Sequence, residues 1–243
     1  MANGSDNKKN KTKQILRKCW KWTRRIFLWI FIFQLFYIVL LKWMNPPITM
    51  TQLVSWVSGH GFKRDYVCRT NISPNVKLAV IAAEDQLFPD HHGFDWKSIK
   101  KAMKYNEKKP GRIRGGSTIS QQVAKNVFLW QGRSWIRKGL EVYFTFMIEL
   151  IWGKKRILEM YLNQVEMGEG IFGIEMAARK YFNKPAKNLT QREAAMIAAC
   201  LPSPKRYKIN SSYVSARASH IMRQMNNLLT DPDIRKVIGM APP

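Results

Sequence analysis

Residues 115–126 read GGSTISQQVAKN, a pair of glycines followed at once by the pattern of a helix start. Thr118 and Gln121 have the spacing of a capping box, which predicts a helix from Thr118 to Leu129. Glycines let a backbone approach a ligand closely, and the free N–H groups of a helix N-terminus attract anions. The residue order is not that of a phosphate-binding P-loop. The stretch therefore predicts an anion-binding turn at the start of a helix.

Polar and apolar residues fall on different faces of this predicted helix. Thr118, Gln122 and Lys125 recur at helical spacing, and an apolar stripe lies beside them. A polar face of this kind is either solvated surface or a binding surface, and the pattern alone leaves both interpretations open.

A carboxyl pair, Glu84 and Asp85, ends the apolar segment 75–84, which predicts a second helix. A carboxylate at a helix C-terminus meets the negative end of the helix dipole, and its apolar neighbours exclude water. Both effects raise the pKa of Glu84 toward that of a working general base or acid. A solvated helix end is the alternative. Phe88 and His91 follow in a loop, and such a cluster is more typical of a site than of packing.

Three basic residues, Arg133, Arg137 and Lys138, follow the predicted helix 118–129, and Glu141 comes after them. Arg137 and Glu141 lie one helical turn apart, so an ordinary ion pair is one interpretation. The other is a cationic clamp for pyrophosphate beside a second functional carboxylate. Arg suits phosphate because its guanidinium is a planar fork, and Lys acts as a point charge. The spacing leaves both interpretations open.

Helical patterns dominate residues 74–230, and no alternating run of residues predicts a substantial sheet. We therefore expect an all-α domain over 74–230, with a tail at 231–243. Cys68 and Cys200 either pair in an oxidising compartment or remain free thiols. The predicted helices cover 75–84, 96–105, 118–129, 135–152, 154–165, 174–181 and 193–201.

The N-terminal part of the chain is typical of a membrane anchor. Residues 1–25 form a basic tail, and the anchor at 26–44 begins IFLWIFIFQLFYIVLL. About 19 residues at ~1.5 Å each match the ~30 Å hydrocarbon core of a bilayer. The tail is expected in the cytoplasm, which places the juxtamembrane segment 45–73 and the domain outside. A cleaved signal peptide is the alternative, but the apolar run is long and no small-residue cleavage site follows it.

Composition narrows the class of partner. The 243 residues include 41 Lys plus Arg against 16 Asp plus Glu, a net charge of +25, and 46% are hydrophobic. That apolar fraction excludes a disordered chain, and the charge indicates an anionic partner. A domain outside the cytoplasm does not meet nucleic acid, so phospholipid headgroups and an anionic lipid-linked substrate are expected. A membrane-tethered nucleic-acid binder would require the opposite topology.

Five ordered motifs resemble the family 51 glycosyltransferases, the peptidoglycan polymerases, over about residues 60–210. The anchor and the absence of a long C-terminal region resemble the monofunctional type found in Gram-negative bacteria, which has no transpeptidase domain. The motifs are AAEDQLFPDHHGFDW (82–96), GGSTISQQVAKNVFL (115–129), RKGLEVYFTFMIEL (137–150), KRILEMYLNQVEMGEGIFGIEMAARKYF (155–182) and LTQREAAMIAACLPSPKRY (189–207).

The resemblance implies a lysozyme-like, all-α fold with a single N-terminal transmembrane helix. It implies that the substrate is lipid II, a disaccharide-pentapeptide on undecaprenyl pyrophosphate. The product would be a β-1,4-linked glycan strand, with undecaprenyl pyrophosphate released. The domain is then expected on the periplasmic face of the inner membrane. The implied partners are lipid II, the nascent strand and the phospholipid bilayer, with cell-division or elongation proteins as further candidates and no nucleic acid.

The resemblance also implies roles for individual residues. Glu84 is the expected general base and Glu141 the second essential carboxylate. No cofactor is required, and a divalent cation at the pyrophosphate is compatible with the pattern, although adjacent His91 and His92 are badly placed to bind one ion. A lysozyme-like enzyme that cleaves glycan is the rival, because it also uses Glu in a helical fold. The residues implied in substrate binding are Asp85, Phe88, His91, Ser117, Thr118, Gln122, Lys125, Asn126, Arg133, Arg137 and Lys138.

Overall fold

The computed structural model describes residues 3–109, 115–132 and 134–241, with side chains from residue 13 onward. Over these ranges the protein is mainly helical, as the sequence predicts. The chain divides into two compact units, and the second begins at Asn45. The helices are α1 Asn3–Leu40, α2 Met50–Val57, α3 Pro74–Glu84, α4 Trp96–Lys108, α5 Ile119–Phe128, α6 Trp135–Ile151, α7 Lys154–Gln164, α8 Ile174–Phe182, α9 Gln191–Cys200, α10 Ser212–Leu228 and α11 Pro232–Ile238.

The first unit is built around the long helix α1. Its segment Lys13–Leu40, of 28 residues, is long and apolar enough to cross a membrane. At ~1.5 Å per residue this segment is ~42 Å long, more than the ~30 Å hydrocarbon core needs. Trp29 and Phe33 expose 69% and 70% of their surface. Large apolar side chains exposed on a helix of this length are typical of a membrane anchor.

Helix α3 forms the centre of the second unit. The hydroxyl of Ser73 accepts a hydrogen bond from the N–H of Asn75 at 3.2 Å, and Pro74 occupies the first turn, so the helix start is well defined. Residues 76–82 are all buried, because α9, α10 and α11 pack against this helix. A helix that is apolar all round is expected to be buried in this way. Glu84, the last residue of the helix, is half-buried where this central helix ends.

Helix α5 packs against α6 and α7 and also contacts α2. The predicted capping box is confirmed: Thr118 and Gln121 each bond the backbone N–H of the other, at 3.2 and 3.0 Å. The apolar stripe that begins at Ile119 is buried. Gln122 and Lys125 lie on a different side of the helix and are half-buried. The helix therefore presents these two polar side chains between the core and solvent.

The structure adds a small three-stranded sheet that the sequence pattern does not indicate. Strands β1 Lys63–Arg64, β2 Glu166–Gly168 and β3 Ile171–Phe172 have the order β1-β3-β2, with β3 parallel to β1 and antiparallel to β2. Strands of two or three residues are too short to show an alternating pattern. Gly170 in the β2–β3 turn has φ 66°, and a Cβ there would lie 2.1 Å from the carbonyl oxygen of His60, so only glycine fits.

The two C-terminal helices, α10 and α11, were not among the predicted ones. In α11, Ile234 and Ile238 are buried, and Nζ of Lys77 on α3 donates to the carbonyl of Ile238 at 3.2 Å. Residues 232–238, assigned to a tail from sequence, therefore pack on the central helix. Helix α10 buries a stripe of residues at helical spacing, Val214, Ala218, Ile221 and Met225.

The two cysteines of the second unit are free thiols. Cys68 is exposed and Cys200 is buried. Burial raises the pKa of the Cys200 thiol to about 11. A thiol with so high a pKa carries almost no thiolate at neutral pH and is therefore inert.

Candidate active site

Glu84 lies half-buried at the end of α3. Nε2 of Gln122 on α5 donates a hydrogen bond to Oε2 of Glu84 at 2.8 Å. Burial raises the pKa of Glu84 and outweighs the hydrogen bond from Gln122 and the positive charge of Arg217, which lower it; the charge of Asp85 raises it further. The raised pKa predicted from sequence is therefore confirmed, with burial as its main cause.

Asp85, the residue after Glu84, fixes the position of Glu84 through its own hydrogen bonds. Its buried carboxylate accepts a hydrogen bond from the N–H of Ile119 at 3.0 Å and another from Nε2 of His91 at 3.0 Å. The N–H of Gly93 donates to Nδ1 of His91 at 3.1 Å, so the ring carries its proton on Nε2. The anion at the N-terminus of α5 is therefore Asp85 itself. The anion-binding turn predicted there is already filled from within the protein, because α3 ends against the start of α5.

Thr118 also helps to hold the loop after α3 against the start of α5. Its hydroxyl donates to the carbonyl of Gly93 at 2.7 Å, and the residue is only 3% exposed. Gly93 has φ 89°, and a Cβ there would lie 2.7 Å from Cγ2 of Thr145, so the loop approaches α6 closely. The helical spacing puts Thr118 on one polar face with Gln122 and Lys125, but the structure uses its side chain in the helix cap, where it also bonds the loop after Glu84.

Glu141 on α6 is the second carboxylate of the site, and it is 3% exposed. Its Oε2 accepts from Nη1 of Arg137 at 2.9 Å, and its Oε1 accepts from Nζ of Lys138 at 2.5 Å. The structure thus forms the ion pair between Arg137 and Glu141 that was one of the two interpretations of their spacing, and this pair does not exclude the other interpretation. Within the described part of the chain, Nε of Arg137 is buried and has no hydrogen-bond partner. A buried donor without a partner is costly, so this guanidinium keeps capacity for a further acceptor.

Lys125 on α5 is electrostatically coupled to Glu141, Arg137 and Lys138. We call Lys125, Arg137, Lys138 and Glu141 the cationic cluster. Burial lowers the pKa of the Lys125 ammonium group most, and Arg137 and Lys138 lower it too, whereas Glu141 raises it. Three cationic side chains thus act around one buried carboxylate. The cluster holds two more positive than negative charges when all four groups are ionised.

Helix α5 connects the two carboxylates of the site. Gln122 contacts Glu84, and Lys125, three residues further on, interacts with Glu141. Side chains three residues apart on a helix are neighbours, with about 5–6 Å between their Cβ atoms. One turn of α5 therefore separates the environment of Glu84 from the cationic cluster.

The remaining predicted residues have varied positions. Phe88 is fully buried and packs edge-on against His91, with ring centroids 6.3 Å apart, so it supports the loop from inside. Ser117 is exposed just before α5. Oδ1 of Asn126 accepts a hydrogen bond from the hydroxyl of Thr51 at 3.3 Å, which ties α5 to α2. Arg133 lies outside the described residues.

A buried polar network braces the loop after Glu84, and sequence reasoning did not identify it. Oε1 of Glu149 accepts from Nζ of Lys154 at 2.7 Å and from the hydroxyl of Ser120 at 2.5 Å. Lys154 also donates to the carbonyl of His91 and lies 4.6 Å from the ring centroid of Phe88. The network joins the start of α5 to the end of α6 and the start of α7, and this holds the loop in place.

Tyr161 and Arg217 are the other site residues that sequence reasoning missed. Tyr161 lies in the fourth motif on the buried helix α7, and its hydroxyl bonds Gln122. Arg217 lies on α10, which was not predicted to be a helix at all. The helical spacing of the buried residues of α10 was the available signal, and it identifies the face of the helix but not the charge that acts on Glu84.

No ready metal centre is present among the described residues. Within these ranges, no group of three or more His, Cys, Asp or Glu side chains could hold an ion. His91 binds Asp85, and the exposed side chain of His92 does not join it there.

Comparison with known proteins supports the motif-based assignment. The profile of the family described as Transglycosylase matches residues 50–226. A biosynthetic peptidoglycan transglycosylase of Yersinia pseudotuberculosis is 50% identical over 222 residues, which is 88% of this chain and 92% of that protein. Proteins of the same name are 57% identical over 182 residues in Salmonella schwarzengrund (73% and 75% of the two chains) and 63% identical over 166 residues in Mannheimia succiniciproducens (68% of each). The chain therefore belongs to the transglycosylase family, whose members are glycosyl-transferring enzymes.

Proposed function

We propose that this enzyme polymerises lipid II into β-1,4-linked glycan strands of peptidoglycan and releases undecaprenyl pyrophosphate. One observation carries the proposal: α5 connects a half-buried carboxylate of raised pKa to a carboxylate that pairs with Arg137 and Lys138 and is electrostatically coupled to Lys125. Joining a sugar alcohol to a sugar diphosphate requires a base for the alcohol and positive charge for the diphosphate. The name of the relatives and the five motifs support peptidoglycan as the product.

Glu84 is the proposed general base. It takes the proton from the 4-hydroxyl of the incoming lipid II, and the freed oxygen attacks the anomeric carbon of the growing chain. Because a base works best when its pKa approaches the working pH, the burial that raises the pKa of Glu84 suits this role. Displacement in one step inverts the anomeric carbon, which converts an α-linked diphosphate into a β-linked glycan.

The cationic cluster is the proposed site of the pyrophosphate. As the bond between the anomeric carbon and the phosphate oxygen breaks, negative charge grows on the leaving group, and nearby cations stabilise it. Lys125, Arg137 and Lys138 supply that charge. Glu141 keeps Arg137 and Lys138 in place without neutralising the cluster.

A substrate test separates this function from glycan cleavage. The full chain in detergent micelles is given lipid II and, in parallel, preformed glycan strands. We expect long strands from lipid II and no shortening of the preformed ones. Shortening of preformed strands without any new polymer would favour the lysozyme-like alternative.

Replacing Lys125 by methionine should weaken the use of lipid II by about 10–100-fold, the order expected for losing one charge-assisted contact to phosphate. The substitution keeps the length of the side chain and removes its charge. The measurement is kcat/KM for lipid II. Lys180→Met on the exposed face of α8 is the matched control and should leave kcat/KM unchanged. Full activity of Lys125→Met would exclude Lys125 from the proposed binding of pyrophosphate.

Replacing Arg217 by methionine should move the acidic limb of the pH–rate profile to higher pH. Glu84 acts in its ionised form, so the rate falls as the pH drops through its pKa, and Arg217 is one of the groups that lower this pKa. Without that charge the pKa of Glu84 rises, and the rate loss is several-fold at acidic pH but small at alkaline pH. Arg192→Met on the exposed side of α9 is the control. A uniform loss at every pH would contradict this account of Arg217.

We further propose that α1 anchors the enzyme in the inner membrane, with the basic N-terminus in the cytoplasm and the domain in the periplasm. The exposed apolar residues Trp135, Phe146 and Leu150 of α6 support contact with lipid. The exposed lysines of α4 support contact with anionic headgroups. An enzyme and a lipid substrate that share one surface meet more often and in a fixed orientation.

A further inference from the structure

Tyr161 on α7 lies behind the proposed base and is 2% exposed. Its hydroxyl donates to Oε1 of Gln122 at 3.4 Å, and Nε2 of the same amide donates to Oε2 of Glu84 at 2.8 Å. The three side chains thus form one hydrogen-bonded chain that runs from the core of the domain to the reacting carboxylate. The general-base mechanism does not by itself require Tyr161.

The direction of this chain follows from the chemistry of its two ends. A carboxylate can only accept hydrogen bonds, so the amide must turn its NH₂ group toward an ionised Glu84. Burial raises the pKa of Tyr161 well above its ordinary value, with the charges of Glu84 and Asp85 adding to the effect, so the hydroxyl keeps its proton and donates. If the amide of Gln122 were flipped, the buried phenol proton would lose this acceptor, and the amide oxygen would face Glu84. That arrangement favours the protonated acid, which cannot act as a base.

We propose that Tyr161 is a positioning residue that orients the amide of Gln122 and thereby holds Glu84 in the orientation and ionisation state of a general base. The inference rests on the proposed function of Glu84 and deepens it, since it identifies what keeps the base ready for reaction. Tyr161 touches no substrate in this scheme and acts only through Gln122.

Other groups around Glu84 also influence its ionisation, so they must stay constant in any test. Asp85, the next residue in the chain, raises the pKa of Glu84, and Arg217 on α10 lowers it. Two more helices pack against α3, and their charged residues are otherwise engaged or exposed. These are Arg192 (exposed) and Glu193 (paired with Lys184) on α9, and Asp233 and Lys236 (exposed) and Arg235 (bonded to the carbonyls of Leu229 and Ala241) on α11.

The test is a double-mutant cycle on the full chain in micelles, with lipid II as substrate. Tyr161→Phe keeps the ring and removes the hydroxyl. We expect kcat to fall by up to about tenfold, the upper end for the loss of one hydrogen bond, with KM changed less than about twofold and the acidic limb of the pH profile moved to higher pH. In a Gln122→Met background, Tyr161→Phe should change neither kcat nor the profile further, because the residue through which it acts is gone.

Tyr181→Phe is the matched control, because its hydroxyl bonds the carbonyl of Met167 at 3.1 Å near the small sheet. It should leave the pH profile in place. The proposal is overturned if Tyr161→Phe has the same effect with and without Gln122, if its pH profile does not move, or if the variant unfolds while Tyr181→Phe folds. Failure of the proposed function is distinguishable, since that would appear as full activity of Glu84→Gln.

Discussion

Replacing Glu84 by glutamine should lower the rate of glycan polymerisation from lipid II by about 10²–10⁴-fold, the usual contribution of a general base. Glutamine has nearly the shape of glutamate but cannot take up the proton of the acceptor hydroxyl. The protein should fold normally. Because the pKa of Glu84 is raised in the folded state, its ionised form costs stability above that pKa, and glutamine carries no such cost. The free energy of unfolding at neutral pH should therefore be unchanged or slightly higher.

Glu169→Gln is the control for this experiment. Glu169 is exposed in the turn between β2 and β3, so its loss should affect neither rate nor stability. Rates come from the appearance of polymer, and stability comes from thermal unfolding of each variant. Normal polymerisation by Glu84→Gln would exclude Glu84 as the base, and a cationic protein that merely binds anionic lipid would then explain the site better.

Replacing Glu141 by glutamine should also abolish most of the activity, by about 10²-fold or more. Glutamine keeps one acceptor oxygen but carries no charge, so the ion pairs that position Arg137 and Lys138 toward the leaving pyrophosphate are lost. Removing one partner of a buried ion pair costs about 3–5 kcal/mol of stability. The cost should be smaller here, because the side chain of Lys138 is 44% exposed and water screens its charge.

A matched control for Glu141→Gln is available in α8. Glu175 is equally buried and pairs with Arg179 four residues later, at 2.8 Å. Glu175→Gln should lose stability to a comparable extent and, once folded, polymerise at the normal rate. If both variants lost activity in proportion to stability, the effect of Glu141 would be structural, and its assignment to catalysis would be wrong.

The parts of the site that sequence predicts correctly depend on local spacing. The capping box of Thr118 and Gln121, and the ion pair of Arg137 and Glu141 that was one of two interpretations, each span less than one and a half helical turns. Helix geometry alone brings such residues together. The raised pKa of Glu84 was one of two outcomes that the sequence allowed, since apolar neighbours at a helix end exclude water from a carboxylate unless that end is solvated.

The parts that sequence does not predict depend on packing between distant segments. Asp85 accepts a hydrogen bond at the N-terminus of α5 only because α3 ends there. The sequence of neither segment predicts that the two helix ends meet. Thr118 has the position and the polar side chain of a binding residue, yet its hydroxyl donates a hydrogen bond to the carbonyl of Gly93. Tyr161 and Arg217 follow Glu84 by more than 75 positions, so their action on it appears only in the folded chain.

The most direct measurement is a structure of the Glu84→Gln variant with lipid II bound, since the substrate should remain intact in that variant. The account predicts the acceptor 4-hydroxyl at about 2.6–3.2 Å from the side chain at position 84. It also predicts pyrophosphate oxygens in contact with Lys125 or with the guanidinium of Arg137. A pyrophosphate held elsewhere, or an acceptor hydroxyl far from position 84, would contradict it.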